Sequence, residues 1–143
     1  MEYTSVETRL AHCSPQAVLE RLLDPATWPA WQPEIMIATG PSRLAVGDVA
    51  RGRARLLGFE VDGHSTAVDV GTGSFEEDVV VGVRMRIRYE LTPGPHGTVI
   101  AHRLTAELPR GVAGRVLSWF LRRRLRGMQR KALERLAAQA EST

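Results

Sequence analysis

GVAGRVLSWFLRRRLRGMQRKALERLAAQA, residues 111–140, is the stretch that decides the fold. Val112, Val116, Leu117, Phe120, Leu121, Leu125, Met128, Ala132, Leu136 and Ala140 recur at spacings of three and four. That spacing predicts one long helix with a broad apolar face, and arginines fill much of the remainder. Residues 34–108 show the other periodicity, apolar and polar residues alternating in steps of two. Antiparallel strands followed by a single long helix have few ways to bury their apolar faces. A curved sheet wrapped around the helix is the expected one, and it leaves room for a pocket between the two layers.

Reading back from the helix, Thr98–Leu108 is the last strand, separated from the helix by Pro109 and Gly111. A loop, Pro93-Gly94-Pro95-His96-Gly97, precedes it. The clearest strand is Val83–Leu91, in which Val83, Met85, Ile87, Tyr89 and Leu91 alternate with Arg84, Arg86, Arg88 and Glu90. Ser74–Val81 comes before it. A three-residue turn between these two strands sets Asp78 against Arg86, Glu76 against Arg88 and Phe75 against Tyr89. A two-residue turn would invert the faces of Ser74–Val81. The first register pairs opposite charges and is preferred.

Further upstream, Val49–Leu57 and Phe59–Val70 form a hairpin through Leu57-Gly58, with Arg55 opposite Glu60, Arg53 opposite Asp62 and Leu56 opposite Phe59. Glu34–Thr39 is a short apolar strand. Residues 3–12 read as the first strand, with Val6, Leu10 and His12 on one face. Ser14-Pro15 supplies an N-cap and first helical position for Gln16–Leu23. Asp24-Pro25 ends that helix and starts a second short one through Trp28, Pro29 and Trp31, which Pro33 closes.

Composition narrows the class. The chain has 143 residues, 43% hydrophobic and 24% charged, and residues 1–143 read as a single domain. No segment approaches the run of about 18 apolar residues that a transmembrane helix needs. MEYTSVETRL has no basic start leading into an apolar run, so a cytoplasmic location is expected. Cys13 is the single cysteine, which excludes an internal disulfide and a multi-cysteine metal site. The histidines (His12, His64, His96, His102) show no metal-ligand spacing, and there is no phosphate-binding glycine loop. Neither a metal nor a cofactor is expected. Net charge is +3, but residues 111–143 carry +6 and the remainder −3.

The order of elements resembles the START-like (SRPBCC) superfamily, within it the polyketide cyclase/dehydrase and lipid-transport group. The matching residues are Ser14-Pro15-Gln16-Ala17-Val18, Asp24-Pro25, Trp28, Trp31, Val46-Gly47-Asp48, Tyr89-Glu90-Leu91-Thr92-Pro93 with Gly97-Thr98-Val99, and the final helix. They are caps, turns and packing aromatics rather than a catalytic signature. The resemblance implies an α+β helix-grip fold like that of the birch-pollen allergen. In it a curved seven-stranded antiparallel sheet surrounds a long C-terminal helix, with two short helices after the first strand. It also implies a hydrophobic cavity between sheet and helix.

Candidate residues follow from the face assignments. His102 shares an inner face with Ile100, Leu104, Ala106 and Leu108; it is either a polar anchor or general base, or a histidine satisfied locally. Glu77 falls inward between Phe75 and Val79 in the preferred register, where a lone carboxylate is costly unless paired or protonated. Glu77, His102 and Tyr89 therefore form the expected polar cluster and the candidate catalytic set. Trp28, Trp31, Met36, Phe75, Met85, Tyr89, His102, Leu104, Leu117 and Phe120 are the candidate ligand contacts, each equally readable as core.

The expected function is binding, transport or sequestration of a small hydrophobic molecule such as a lipid, polyketide or isoprenoid. One alternative is a polyketide or aromatic cyclase or dehydratase working through the cavity's polar residues. Another, drawn from the resemblance, is a toxin-like or ribosome- or membrane-associated protein using Arg122, Arg123 and Arg126. DNA is not an expected partner, and the chain is expected to be a monomer or homodimer.

Overall fold

The computed structural model describes residues 2–56, 58–108 and 112–142. Leu57, Pro109 and Gly111, assigned above to connections, lie outside the described residues, as does the side chain of Val112. Strand β1 (Glu2–Ala11) leads into helix α1 (Pro15–Leu22), a 3-10 turn (Pro25–Thr27) and the short helix α2 (Trp28–Trp31). Strands β2 (Ile35–Thr39), β3 (Val49–Leu56), β4 (Phe59–Val70), β5 (Ser74–Val81), β6 (Val83–Gly94) and β7 (Gly97–Glu107) follow, then helix α3 (Val112–Glu141). All seven strands form one antiparallel sheet in the order β1-β7-β6-β5-β4-β3-β2. This is the helix-grip arrangement.

The starts and turns have local causes. Ser14 Oγ accepts from Ala17 N–H at 3.2 Å with Pro15 at the first helical position, and Asp24 Oδ1 accepts from Ala26 N–H at 3.1 Å to begin the 3-10 turn. Between β5 and β6, Gly82 takes φ 74°, a left-handed conformation suited to glycine, and Val81 pairs with Val83. The resulting register sets Asp78 opposite Arg86, Glu76 opposite Arg88 and Phe75 opposite Tyr89. Arg86 grips Asp78 with two hydrogen bonds at 2.7 and 2.8 Å. On β3 and β4, Arg53 reaches Asp62 at 3.1 Å and Arg55 reaches Glu60 at 3.2 Å.

Three sequence readings need correction. Pro93–Gly97 is not a loop: Pro93 pairs with Thr98 and Gly94 with Gly97, which leaves Pro95-His96 as a two-residue hairpin turn. Pro93 is tolerated there because β5 ends opposite Glu90, so no neighbour on that side awaits its missing N–H. On β1, Val6 and Leu10 face outward, 52% and 41% exposed. The inward positions hold Tyr3, Ser5 and Glu7, opposite Ala106, Leu104 and His102. Polar residues suit this edge because the flank of α3 that covers it is polar: Gln129 donates to the Ser5 carbonyl and Arg130 pairs with Glu7 at 3.3 Å.

The third correction concerns α3. Gly114, Ser118, Leu125, Gln129, Ala132 and Leu136 are buried, whereas Val116, Leu117, Trp119 and Phe120 are exposed. At about 100° per residue, Val116 lies half a turn from Leu125 and Phe120 about 140° from it. The apolar positions make two faces, not one. Among the described residues no helix is long and apolar enough to cross a membrane.

Candidate functional site

A cavity of about 120 Å³ lies between the inner face of the sheet and α3, with Trp28 of α2 closing part of it. The central strands build most of its wall. Met85, Ile87 and Leu104 come from β6 and β7, Val79 and Val81 from β5, and Met128 and Ala132 from α3. Space exists because β3 and β4 present small residues there: Ala50 and Gly52 pair with Ser65 and Gly63, and Ala54 continues the series on β3. A Cβ on Gly52 would collide with the Ile37 carbonyl, so glycine is needed where β2 crowds β3.

Ser65, Glu77, Tyr89, His102 and Gln129 are the buried polar side chains of this wall, and the less buried Gln32, Glu34, Arg51, Arg53 and His64 border it toward solvent. Glu77, Tyr89 and His102 stand on adjacent strands β5, β6 and β7, and their inward facing follows from the charge-paired register of β5 and β6. The His102 imidazole and the Tyr89 ring meet in a T-shaped contact, with centroids 4.8 Å apart and planes at 87°.

Burial pushes the Glu77 carboxyl from its ordinary 4.5 up to about 8. The Ser65 hydroxyl pulls weakly the other way, through a loose contact, since Ser65 Oγ makes no hydrogen bond of good geometry. No salt-bridge partner for Glu77 occurs among the described residues. Tyr89 is driven well above 10.0 by burial and then by the nearby Glu77 charge. His102 falls from 6.5 to about 4 because burial disfavours the imidazolium. At neutral pH all three are uncharged.

The contacts of Gln129 favour one tautomer of His102. Gln129 Nε2 lies 3.2 Å from the Ser5 carbonyl oxygen, 2.9 Å from His102 Nδ1 and, more distantly, 3.4 Å from the His102 carbonyl oxygen. A carbonyl can accept but not donate, so the amide nitrogen faces it and Nδ1 takes a donated hydrogen bond. The proton of the neutral ring then sits on Nε2. Gln129 Oε1 is buried with no hydrogen-bond partner among the described residues.

Of the ten candidate ligand contacts, Trp28, Met85, Tyr89, His102 and Leu104 line the cavity. Phe75 and Trp31 do not; they pack against Tyr89, Phe75 of the neighbouring strand stacked at 6.1 Å and Trp31 in a T-shaped contact at 6.3 Å. Trp31 Nε1 donates to Thr27 Oγ1, whereas Trp28 Nε1 donates to the Leu22 carbonyl. Met36 is the extra residue of a bulge between Ile35 and Ile37 and turns outward, 44% exposed. Leu117 and Phe120 lie on the solvent side of α3. Glu77 and His102 share the wall without a direct hydrogen bond, since β6 lies between their strands. Sequence reasoning missed Gln129, although a polar residue between Leu125 and Ala132 on the buried stripe signals it. It also missed the small residues of β3 and β4.

A bent sheet gripping a terminal helix over an apolar hollow defines a class of ligand-binding folds, the START-like proteins. The chain belongs to the polyketide cyclase/dehydrase and lipid transport family, whose profile matches residues 3–141. Its fold is similar to that of StfQ, a di-domain ARO/CYC from the steffimycin biosynthetic pathway, with a TM-score of 0.82 and 17% identity. That match covers 99% of this chain and 51% of StfQ, so the chain spans about half the length of that protein. It is also similar to the Zhui aromatase/cyclase from Streptomyces sp. R1128 (TM-score 0.78, 13% identity, 99% of this chain and 94% of the other). A third similar structure is Ara h 8.0201 (TM-score 0.69, 11% identity, 100% of both chains). At these identities the likeness is one of fold. No curated protein matches the sequence closely enough to count as a relative.

Proposed function

We propose that the protein binds a small, uncharged, largely apolar molecule carrying a carbonyl or hydroxyl oxygen. The apolar part enters the cavity and the oxygen meets Glu77, Tyr89 and His102. The observation that carries this reading is Glu77: a buried carboxyl, without a salt-bridge partner among the described residues, on the wall of a mostly apolar hollow, where burial favours its protonated form. A protonated carboxyl, a phenol and an Nε2–H all donate hydrogen bonds, so an oxygen acceptor complements them and a cation does not. The volume of about 120 Å³ is close to the roughly 150 Å³ cavity that holds benzene in an engineered protein. One ring, or the end of a polyketide or isoprenoid chain, fits inside, and a longer ligand extends past Ile37 at the β2 edge.

A cyclase or dehydratase reading is favoured by the opposite displacement of two groups on one wall, Glu77 upward and His102 downward. The tautomer weighs against it. With Nδ1 occupied by Gln129 and the proton on Nε2, His102 has no free lone pair to act as a base. Binding is the better-supported function.

Titration with 2-naphthol and naphthalene, followed by Trp28 fluorescence and calorimetry, tests this. Preference for 2-naphthol is expected, lost in Glu77→Leu, while Ala54→Trp blocks both ligands. Equal affinity for the two ligands in the native protein, or binding indifferent to Ala54→Trp, would overturn it.

A further inference from the structure

We infer that the outward face of the first half of α3 docks on an anionic membrane surface. Val116, Leu117, Trp119 and Phe120 are 61%, 43%, 53% and 55% exposed and lie side by side across the helix from its buried stripe. Four neighbouring large apolar side chains held in water by a rigid helix mark an interaction surface. The aromatic pair is ordered: the Trp119 and Phe120 rings meet edge to face at 5.0 Å, and the Arg123 guanidinium sits 5.1 Å over the Trp119 ring.

Charge selects the partner. From residue 112 to 133 the chain has Arg115, Arg122, Arg123, Arg124, Arg126, Arg130 and Lys131, and no acidic residue before Glu134. Arg122 is turned toward the Tyr3 ring, whereas Arg123 and Arg124 flank the aromatic patch. A second copy docked face to face would bring this basic run against itself. A nucleic acid would satisfy the arginines and leave four apolar side chains in water. An anionic bilayer meets both: the aromatic and aliphatic groups enter the boundary between headgroups and acyl chains, and the guanidinium groups reach lipid phosphates.

This surface lies on the opposite side of α3 from the cavity wall, so its test is independent of ligand binding. Co-sedimentation with vesicles of phosphatidylcholine containing 30 mol% phosphatidylglycerol, against pure phosphatidylcholine, reads it directly; here ~30 mol% sets a surface potential of the physiological kind. The full chain is expected on the anionic vesicles and to be released by high salt. Each basic charge removed weakens binding about fivefold. Arg123→Glu with Arg124→Glu therefore abolishes it. Trp119→Ser with Phe120→Ser weakens it at least about tenfold, and both pairs keep the native melting temperature because they alter exposed positions. Binding equal on the two vesicle types, absence from both, or a Trp119→Ser/Phe120→Ser variant that sediments like wild type would overturn the inference. So would a homodimer in solution that those two serine substitutions dissociate.

Discussion

Replacing Glu77 by glutamine isolates the largest electrostatic effect in the cavity. The amide has nearly the shape of the protonated carboxyl and cannot ionise. In the folded protein Glu77 holds its proton up to about pH 8, whereas in the unfolded chain it releases it near 4.5. Between those values the folded state binds the extra proton, so stability falls as pH rises, by about 1.4 kcal/mol per pH unit. Across the whole interval the loss is about 5 kcal/mol, to be read as an order of magnitude. Glu77→Gln removes that loss. Urea unfolding at pH 5, 7 and 9 should give a stability difference, glutamine over wild type, near zero at pH 5. It should grow to several kcal/mol at pH 9 and stay level above it. A difference that does not change with pH would mean that Glu77 ionises normally in the folded state, and the account of the cavity would fail with it.

His102 acts with the opposite sign. Its folded value of about 4 lies below 6.5, so the unfolded chain takes up the proton first and stability falls as pH drops through that range. Between 4.5 and 6.5 the two slopes cancel. The pair therefore predicts a plateau of stability there, with losses above about 6.5 from Glu77 and below about 4.5 from His102. A histidine-to-glutamine change at 102 should remove the acid limb and uncover the Glu77 slope across the former plateau, so that stability keeps rising as pH falls from about 8 to about 4.5, measurable by the same titrations. Gln129→Leu leaves the Ser5 carbonyl and His102 Nδ1 buried without their donor, costing about 2–3 kcal/mol in urea unfolding and freeing Nδ1 to titrate. Gly52→Ala drives a methyl group against the Ile37 carbonyl and should cost about 2–3 kcal/mol, with weaker naphthol binding because β2 borders the cavity. Ala54→Leu with Ala132→Leu fills the hollow from both sides, so binding should disappear while far-ultraviolet circular dichroism keeps its native shape.

Much of the fold was legible because its cues are local. Ser14-Pro15 and Asp24-Pro25 announce helix starts, and the alternation in Val83–Leu91 announces a half-buried strand. Opposite charges at Asp78/Arg86 and Glu76/Arg88 chose between two registers, and that choice turned Glu77 inward beside Tyr89 and His102. Other features depend on what an element packs against. Met36 sits at a bulge that period-two counting cannot foresee. Phe75 shares the inner face of β5 with Glu77, Val79 and Val81 but packs, like Trp31, against Tyr89 instead of lining the cavity, a difference of position along the face rather than of pattern. The α3 stripe was drawn too wide: spacings of three and four, chained far enough, walk around the helix, and Val116 and Phe120 ended on the wrong side.

By itself the sequence determined the order of strands and helices, the pairing of neighbouring strands, and the position of the three titratable residues on one face. Each follows from backbone periodicity and from contacts between residues close along the chain. The tertiary structure alone decided that a hollow remains beneath α3, that Gln129 reaches across to fix the His102 proton, and which face of the terminal helix meets water. Those outcomes come from packing between residues as far apart as Ser5 and Gln129, where side-chain volume and burial rather than local pattern set the result.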